Sequence, residues 1–131
     1  MRVFKVTRQR CKHARLRSAI IRAKGAELTY QAGRETRPNF GLVFAFDTFE
    51  NAEAFSDSIA PDRFSAKQIR IWEADAPDAE PIEKIADLVD PFNADAFGLE
   101  YFWAGYPITA LRPPPPGTVA CSALTLRRKI Q

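Results

Sequence analysis

Cys11 and His13 stand two residues apart in the stretch QRCKHAR. In an extended segment this spacing puts thiol and imidazole on one face. The cations around them, Arg10, Lys12 and Arg15, favour the thiolate that a nucleophile requires. His13 is the sole histidine of the chain, so a base-assisted nucleophile must use it. No third group that would orient the imidazole is legible, and the plainer reading is a bystander thiol in a basic turn. Zinc chemistry has less support. Cys11, His13 and Cys121 supply at most three soft ligands, without the paired spacing of a structural zinc site. No Walker-type loop and no GxGxxG is present. The expectation is therefore no catalytic residue, no metal, no cofactor, and a balance that leans away from an enzyme.

Carboxylates are plentiful but poorly placed for acid–base work. Asp75, Asp78 and Glu80 lie around Pro77 and Pro81, in a segment that reads as an exposed loop. A general acid needs burial or a like-charged neighbour to tune it, and a solvated loop offers neither.

The cations form a more distinctive pattern. Residues 1–26 hold nine Lys or Arg and no acid, whereas residues 73–100 hold nine Asp or Glu and one base, Lys84. Arg8, Arg10, Lys12, Arg15 and Arg17 alternate with uncharged residues, and Arg127 and Arg128 make the C-terminus basic again. If the two ends of the chain pair as neighbouring strands, these cations add into one surface that attracts an acidic partner. Phosphate contact needs cations of this kind, but no aromatic residue is interleaved to stack on bases. The aromatic residues Tyr101, Trp103 and Tyr106 gather in a separate window, as a second half of the core or as a recognition surface of the kind rich in Trp and Tyr.

These patterns lead to an expected function: a small non-enzymatic interaction domain that binds and occludes a macromolecular partner through Arg8, Arg10, Lys12, Arg15, Arg17, Arg127 and Arg128, with Tyr101, Trp103 and Tyr106 as aromatic contacts. The expected partner is a protein with an acidic surface. The alternatives are a nucleic-acid-binding module built on the cations at 8–17, and a nucleotide-using enzyme employing Tyr30, Arg34 or Arg37. No run approaches the ~20 apolar residues of a membrane helix, and no apolar core followed by a cleavage site marks a leader. Two cysteines make no disulfide framework, so a reduced, cytoplasmic setting is expected, with no membrane partner.

The elements that would position these residues follow from periodicity. With 131 residues, 46% of them hydrophobic, the chain suffices for one domain with its own core. Residues 2–8 alternate as a strand, with Phe4 and Val6 on one face and Val3, Lys5 and Thr7 on the other. Residues 16–22 and 26–31 read as a hairpin, and residues 33–40 as an exposed loop. GLVFAFDTFENAEAF, residues 41–55, changes rhythm in its middle. A strand at 42–46, apolar on both faces, leads into an amphipathic helix at about 47–59. Asp47 reads as the cap, Glu50 as its capping-box partner, and Pro61 as the stop. Phe44, Phe46, Phe49 and Phe55 are expected in the core.

Residues 66–73 form another strand, with Ile69 and Ile71 inward. Residues 82–89 fit a strand or a short helix. Pro113 to Pro116 require extended backbone. In residues 118–127 the apolar face switches partway, which suggests a β-bulge or a strand covered on both sides. The sum is an α+β fold: a mainly antiparallel sheet with one helix packed on it.

The pieces LTYQAG, GLVFAFDTFENAEAF, IRIWEAD and PPGTVACSALTLRRKI together resemble a loosely defined set of small phage and bacterial α+β proteins. The shared pattern is a Tyr-x-x-Gly turn, a Phe-rich strand, an Ala/Phe helix, a Trp-bearing strand and a closing strand after Pro–Gly. The resemblance implies a scaffold and a phage or viral derivation, and no particular activity. The strand–helix–strand passage is also similar to that of ADP-ribosyltransferase-like folds, but the early Arg or His and the later catalytic Glu of that pattern have no match here.

Overall fold

β1 (Arg2–Arg8) lies inside the sheet, and the remaining elements are arranged around it. The computed structural model describes residues 1–9, 15–18, 28–38, 41–63, 68–82, 85–86, 111–112 and 114–131, without the side chains of 18, 59–63, 85–86 and 111–112. In chain order β1 is followed by β2 (Leu16–Ser18), β3 (Thr29–Tyr30), β4 (Glu35–Thr36), β5 (Val43–Phe46), α1 (Phe49–Arg63) and β6 (Ile69–Asp75). Then come β7 (Glu80–Pro81), β8 (Ile85–Ala86), β9 (Leu111–Arg112), β10 (Thr118–Cys121) and β11 (Leu124–Lys129). The main sheet runs β4-β11-β6-β1-β5-β10-β7, with the β2–β3 pair attached to the end of β1. Every pairing is antiparallel, and the sheet curls into a half-barrel. The fold is α+β, as the periodicities require. β8 and β9 pair separately, which makes residues 85–86 strand rather than helix.

The curl covers both faces of β1, and five consecutive residues, Val3 to Thr7, are buried. On one face Phe4 and Val6 join Phe46, Ile69, Ile71 and Ala52 under the helix, with Phe49 and Phe55 packed against them. The ring of Phe4 meets Phe49 edge-on at 6.2 Å, and Phe46 meets Phe55 at 5.0 Å. On the other face Val3 joins Tyr30, Val43, Ala45, Ala74, Val119, Cys121, Leu124 and Leu126. Burying large apolar side chains of this kind contributes roughly 1.5–3 kcal/mol each, an upper range.

The strand-to-helix switch differs in detail from expectation. The strand begins at Val43, leaving Leu42 exposed. The helix is capped by Thr48, whose Oγ1 accepts the Asn51 N–H at 3.1 Å. Phe49 is the first helical residue, so Thr48 holds the N-cap position and its hydroxyl reaches the third helical amide. Asp47 instead accepts from the Asn51 side chain at 2.9 Å. The helix also continues two residues past Pro61 to Arg63. A proline in the last turn forfeits one hydrogen bond, and the carbonyl it leaves is that of Asp57, an exposed residue.

Three segments carry detail beyond their sequence reading. The segment after β3 turns at Gly33, whose φ is +81°, with Arg34 N–H donating to Gln31 O at 3.1 Å, and then pairs with β11 as β4. The chain turns where the prolines end: Thr118 N–H donates to Pro115 O at 3.2 Å across Pro116 and Gly117, while Pro113 lies outside the described residues. Pro followed by a positive-φ Gly is what a type II turn demands. In 118–127, β10 is buried on both faces, the chain breaks before β11, and a register irregularity follows between Leu126 and Arg128.

Candidate functional site

The expected basic surface divides into two groups. Thr7 pairs with Ser18 and Arg8 with Arg17, so two guanidinium-bearing residues stand directly opposite each other on neighbouring strands. Arg15 is exposed one residue ahead of β2. Like charges directly opposite are destabilising in an isolated strand pair. Arg8, Arg15 and Arg17 thus share one corner of the sheet. Arg10 and Lys12 lie outside the described residues, as do Cys11, His13 and the aromatic set Tyr101, Trp103 and Tyr106.

Arg127 and Arg128 do not add to that corner. The chain ends are not neighbouring strands, because β6 runs between β1 and β11 and pairs with both. The acidic end of β6 therefore falls between basic residues. Arg127 Nε meets Asp75 Oδ2 at 2.6 Å, Arg128 Nη2 meets Glu73 Oε2 at 3.0 Å, and Arg2 Nη1 lies 3.9 Å from Glu73 Oε1. Such exposed pairs contribute about 0.2–1 kcal/mol each. Their larger consequence is to neutralise the C-terminal cations.

The acidic loop is also more structured than it reads. Asp75 belongs to β6, and Glu80 belongs to β7, where it pairs with Ala120. Asp78 lies in the intervening turn, and its two oxygens accept the Ser122 N–H at 3.0 and 3.2 Å. Hydrogen bonding from the Ser122 side chain, and then from its backbone, holds the Asp78 carboxyl below its ordinary value. That bond ties the β6–β7 turn to the β10–β11 turn. Among the described residues no group of three or more His, Cys, Asp or Glu gathers to hold a metal.

The sequence reading did not single out the buried polar group inside the curl. Lys5 is 8% exposed, donates from Nζ to Phe44 O at 2.6 Å, and stands 5.5 Å from the centre of the Tyr30 ring. Lys5 pairs with Trp72 across β1 and β6. The Tyr30 hydroxyl and the Trp72 indole N–H are buried without a hydrogen-bond partner among the described residues. Cys121 is 1% exposed and its thiol approaches Val43 O at 3.5 Å. Burial pushes that thiol up to about 11, so it stays protonated and inert at neutral pH. The one signal available in sequence was that Lys5 shares a face with Val3 and Thr7. Tyr30, Arg34 and Arg37 are not brought together as a nucleotide-using site would need: Tyr30 points inward, Arg34 is exposed, and Arg37 is engaged by Glu35 at 2.7 Å.

No family model, no curated protein and no solved structure matches the chain. Among the described residues no helix is long and apolar enough to cross a membrane.

Proposed function

We propose that this protein is a non-enzymatic interaction domain that docks on the acidic surface of a partner protein through the corner carrying Arg8, Arg15 and Arg17. The observation that carries the reading is the register Arg8↔Arg17. With Arg15 exposed one residue ahead of β2, that register gathers three arginines at one corner of the sheet. A carboxylate-rich surface laid across this corner meets several cations at once, and arginine's planar fork suits bidentate contact with carboxylates. The C-terminal arginines lie away from that corner, where Asp75 and Glu73 engage them. The thiol at Cys121 is neutral and Asp78 is tied to the Ser122 backbone, so the reading rests on binding rather than on a reacting group.

The test uses an oligoglutamate peptide and a short DNA duplex as probes, each titrated at several salt concentrations. Charge reversal at the exposed corner, Arg15→Glu with Arg17→Glu, is expected to weaken peptide binding by about tenfold or more. Arg127→Gln with Arg128→Gln is expected to leave it within about twofold. An equal loss from both pairs removes the corner as the docking surface. Tighter binding to the duplex, with affinity falling steeply as salt rises, replaces the protein partner with nucleic acid.

A further inference from the structure

Lys5 is a buried cation with no counter-ion among the described residues. Its ammonium group carries three N–H donors, and its polar contacts among the described residues are the Phe44 carbonyl and the face of Tyr30. Charges taken out of water are ordinarily paired. Beside it are two further buried donors with no acceptor among the described residues, the Tyr30 hydroxyl and the Trp72 indole N–H. Native structures leave few such groups unsatisfied, and each one calls for an explanation.

All three side chains lie on the same face of the curled sheet. Lys5 and Trp72 are direct cross-strand neighbours, while β3 brings Tyr30 over that face. The surrounding wall is apolar and mostly short: Val3, Val43, Ala45, Val119, Leu124 and Leu126. The Cys121 thiol of the same cluster is neutral.

We infer that this interior face binds a small monocarboxylate with an apolar body, its head group received by Lys5 Nζ, Tyr30 Oη–H and Trp72 Nε1–H. The donor set selects the head group. An ionised carboxylate only accepts hydrogen bonds, and its two oxygens offer about four lone-pair sites. One cation with two neutral donors matches a single negative charge, whereas a phosphate dianion would remain under-neutralised. The wall selects the body, since apolar side chains around a few placed polar groups are the usual lining of a small-molecule site. This site is separate from the cationic corner and shares no residue with it, so either proposal can fail without the other.

Calorimetric titration of the full chain with acetate, hexanoate and octanoate tests the inference, with hexanol and inorganic phosphate as controls. Affinity is expected to rise with chain length across the carboxylates, and to fall about tenfold or more when the charge is absent, as in hexanol. Lys5→Met is expected to abolish the preference for carboxylate over alcohol, and Tyr30→Phe to weaken hexanoate by a few-fold. Because Lys5→Met removes a buried group that holds a carbonyl, the wild-type protein provides a second readout. The Trp72 indole N–H resonance, assigned with a Trp103→Phe variant, is expected to move downfield as hexanoate is added. No heat with octanoate at millimolar concentration overturns the proposal. So does binding in which hexanol equals hexanoate, or in which the Trp72 resonance stays fixed at saturation.

Discussion

The backbone N–H of Asp47 donates to the carbonyl of Gly117 at 2.9 Å. One bond thereby joins the strand–helix junction to the turn that opens β10, two places 70 residues apart in sequence. Gly117 meets the helix so closely that a β-carbon there would run into the side chains of Asn51 and Asp47. Gly33 has a similar positive φ but open space around it. The two glycines therefore separate backbone conformation from close approach. Gly33→Ala is expected to cost about 1–2 kcal/mol, the price of a left-handed backbone with a side chain. Gly117→Ala adds about 1–3 kcal/mol of overpacking to the same backbone term. Urea unfolding of the two variants measures the difference; equal losses would mean that the turn does not press on the helix.

Helix capping gives a sharper test of which residue starts α1. Thr48→Ala removes the hydroxyl that accepts the Asn51 amide and is expected to cost about 1 kcal/mol. Glu50 is exposed and is not the residue opposite the cap, so Glu50→Ala is expected within about 0.5 kcal/mol of wild type. Chemical denaturation of both variants decides it, and the reverse order would restore a capping box centred on Asp47 and Glu50.

The ion pair between Arg127 and Asp75 is short but exposed on both sides. A double-mutant cycle with Arg127→Gln and Asp75→Asn is expected to show a coupling of about 0.2–1 kcal/mol. The coupling should shrink further in 1 M salt, where the screening length falls to about 3 Å. Coupling that persists unchanged in high salt would contradict an exposed geometry.

Under the helix, Phe46 is 7% exposed and stacks near Phe55, whereas Leu42, four residues earlier, is 36% exposed. Phe46→Ala is expected to destabilise by about 3–5 kcal/mol, and Leu42→Ala by no more than about 0.5 kcal/mol. Thermal unfolding of the pair reports whether the phenylalanines beside Asp47 hold the domain together.

Two groups set a pH dependence at opposite ends of the scale. The Asp78 carboxyl is lowered from 3.8 by its bonds from Ser122, so its stabilisation is complete above 3.8 and is lost as pH falls through the lower folded value. Asp78→Asn should flatten that part of the acid limb. Cys121 moves the other way, raised from 9.0 to about 11 by burial. Its contribution is complete below pH 9.0 and is lost as pH rises toward about 11, because the unfolded thiol ionises first. In a Cys11→Ser background, thiol-reactive dye at pH 8 should label Cys121 only as fast as the protein unfolds. Prompt labelling of the folded protein would show that the thiol is accessible.

Much of the local structure was legible from residue spacing. The alternation in β1, the strands at Leu16 and Tyr30, and the inward Ile69 and Ile71 all follow from a period of two, whereas the Leu16–Tyr30 register came only with the fold. The helix after Asp47 follows from apolar residues three and four apart. Where the reading missed, the competing cause was local chemistry of similar strength. Thr48 and Asp47 are both good caps, and which one acts depends on a one-residue choice of helix start. For residues 82–89 a strand pairing at 85–86 decided between helix and strand, and its partner, β9, is 25 residues further on at the nearest.

What the chain by itself determined is where it extends, where it coils and where it turns, because those depend on side-chain period and on Gly, Pro and capping residues a few positions apart. Only the tertiary structure decided which strands lie side by side. Placing β6 between β1 and β11 set Glu73 and Asp75 against Arg128 and Arg127, and so separated two basic groups that look additive in sequence. It also decided the fate of Lys5. Alternation states which residues share a face, but whether that face meets water or the inside of a curled sheet depends on strands far away in the chain.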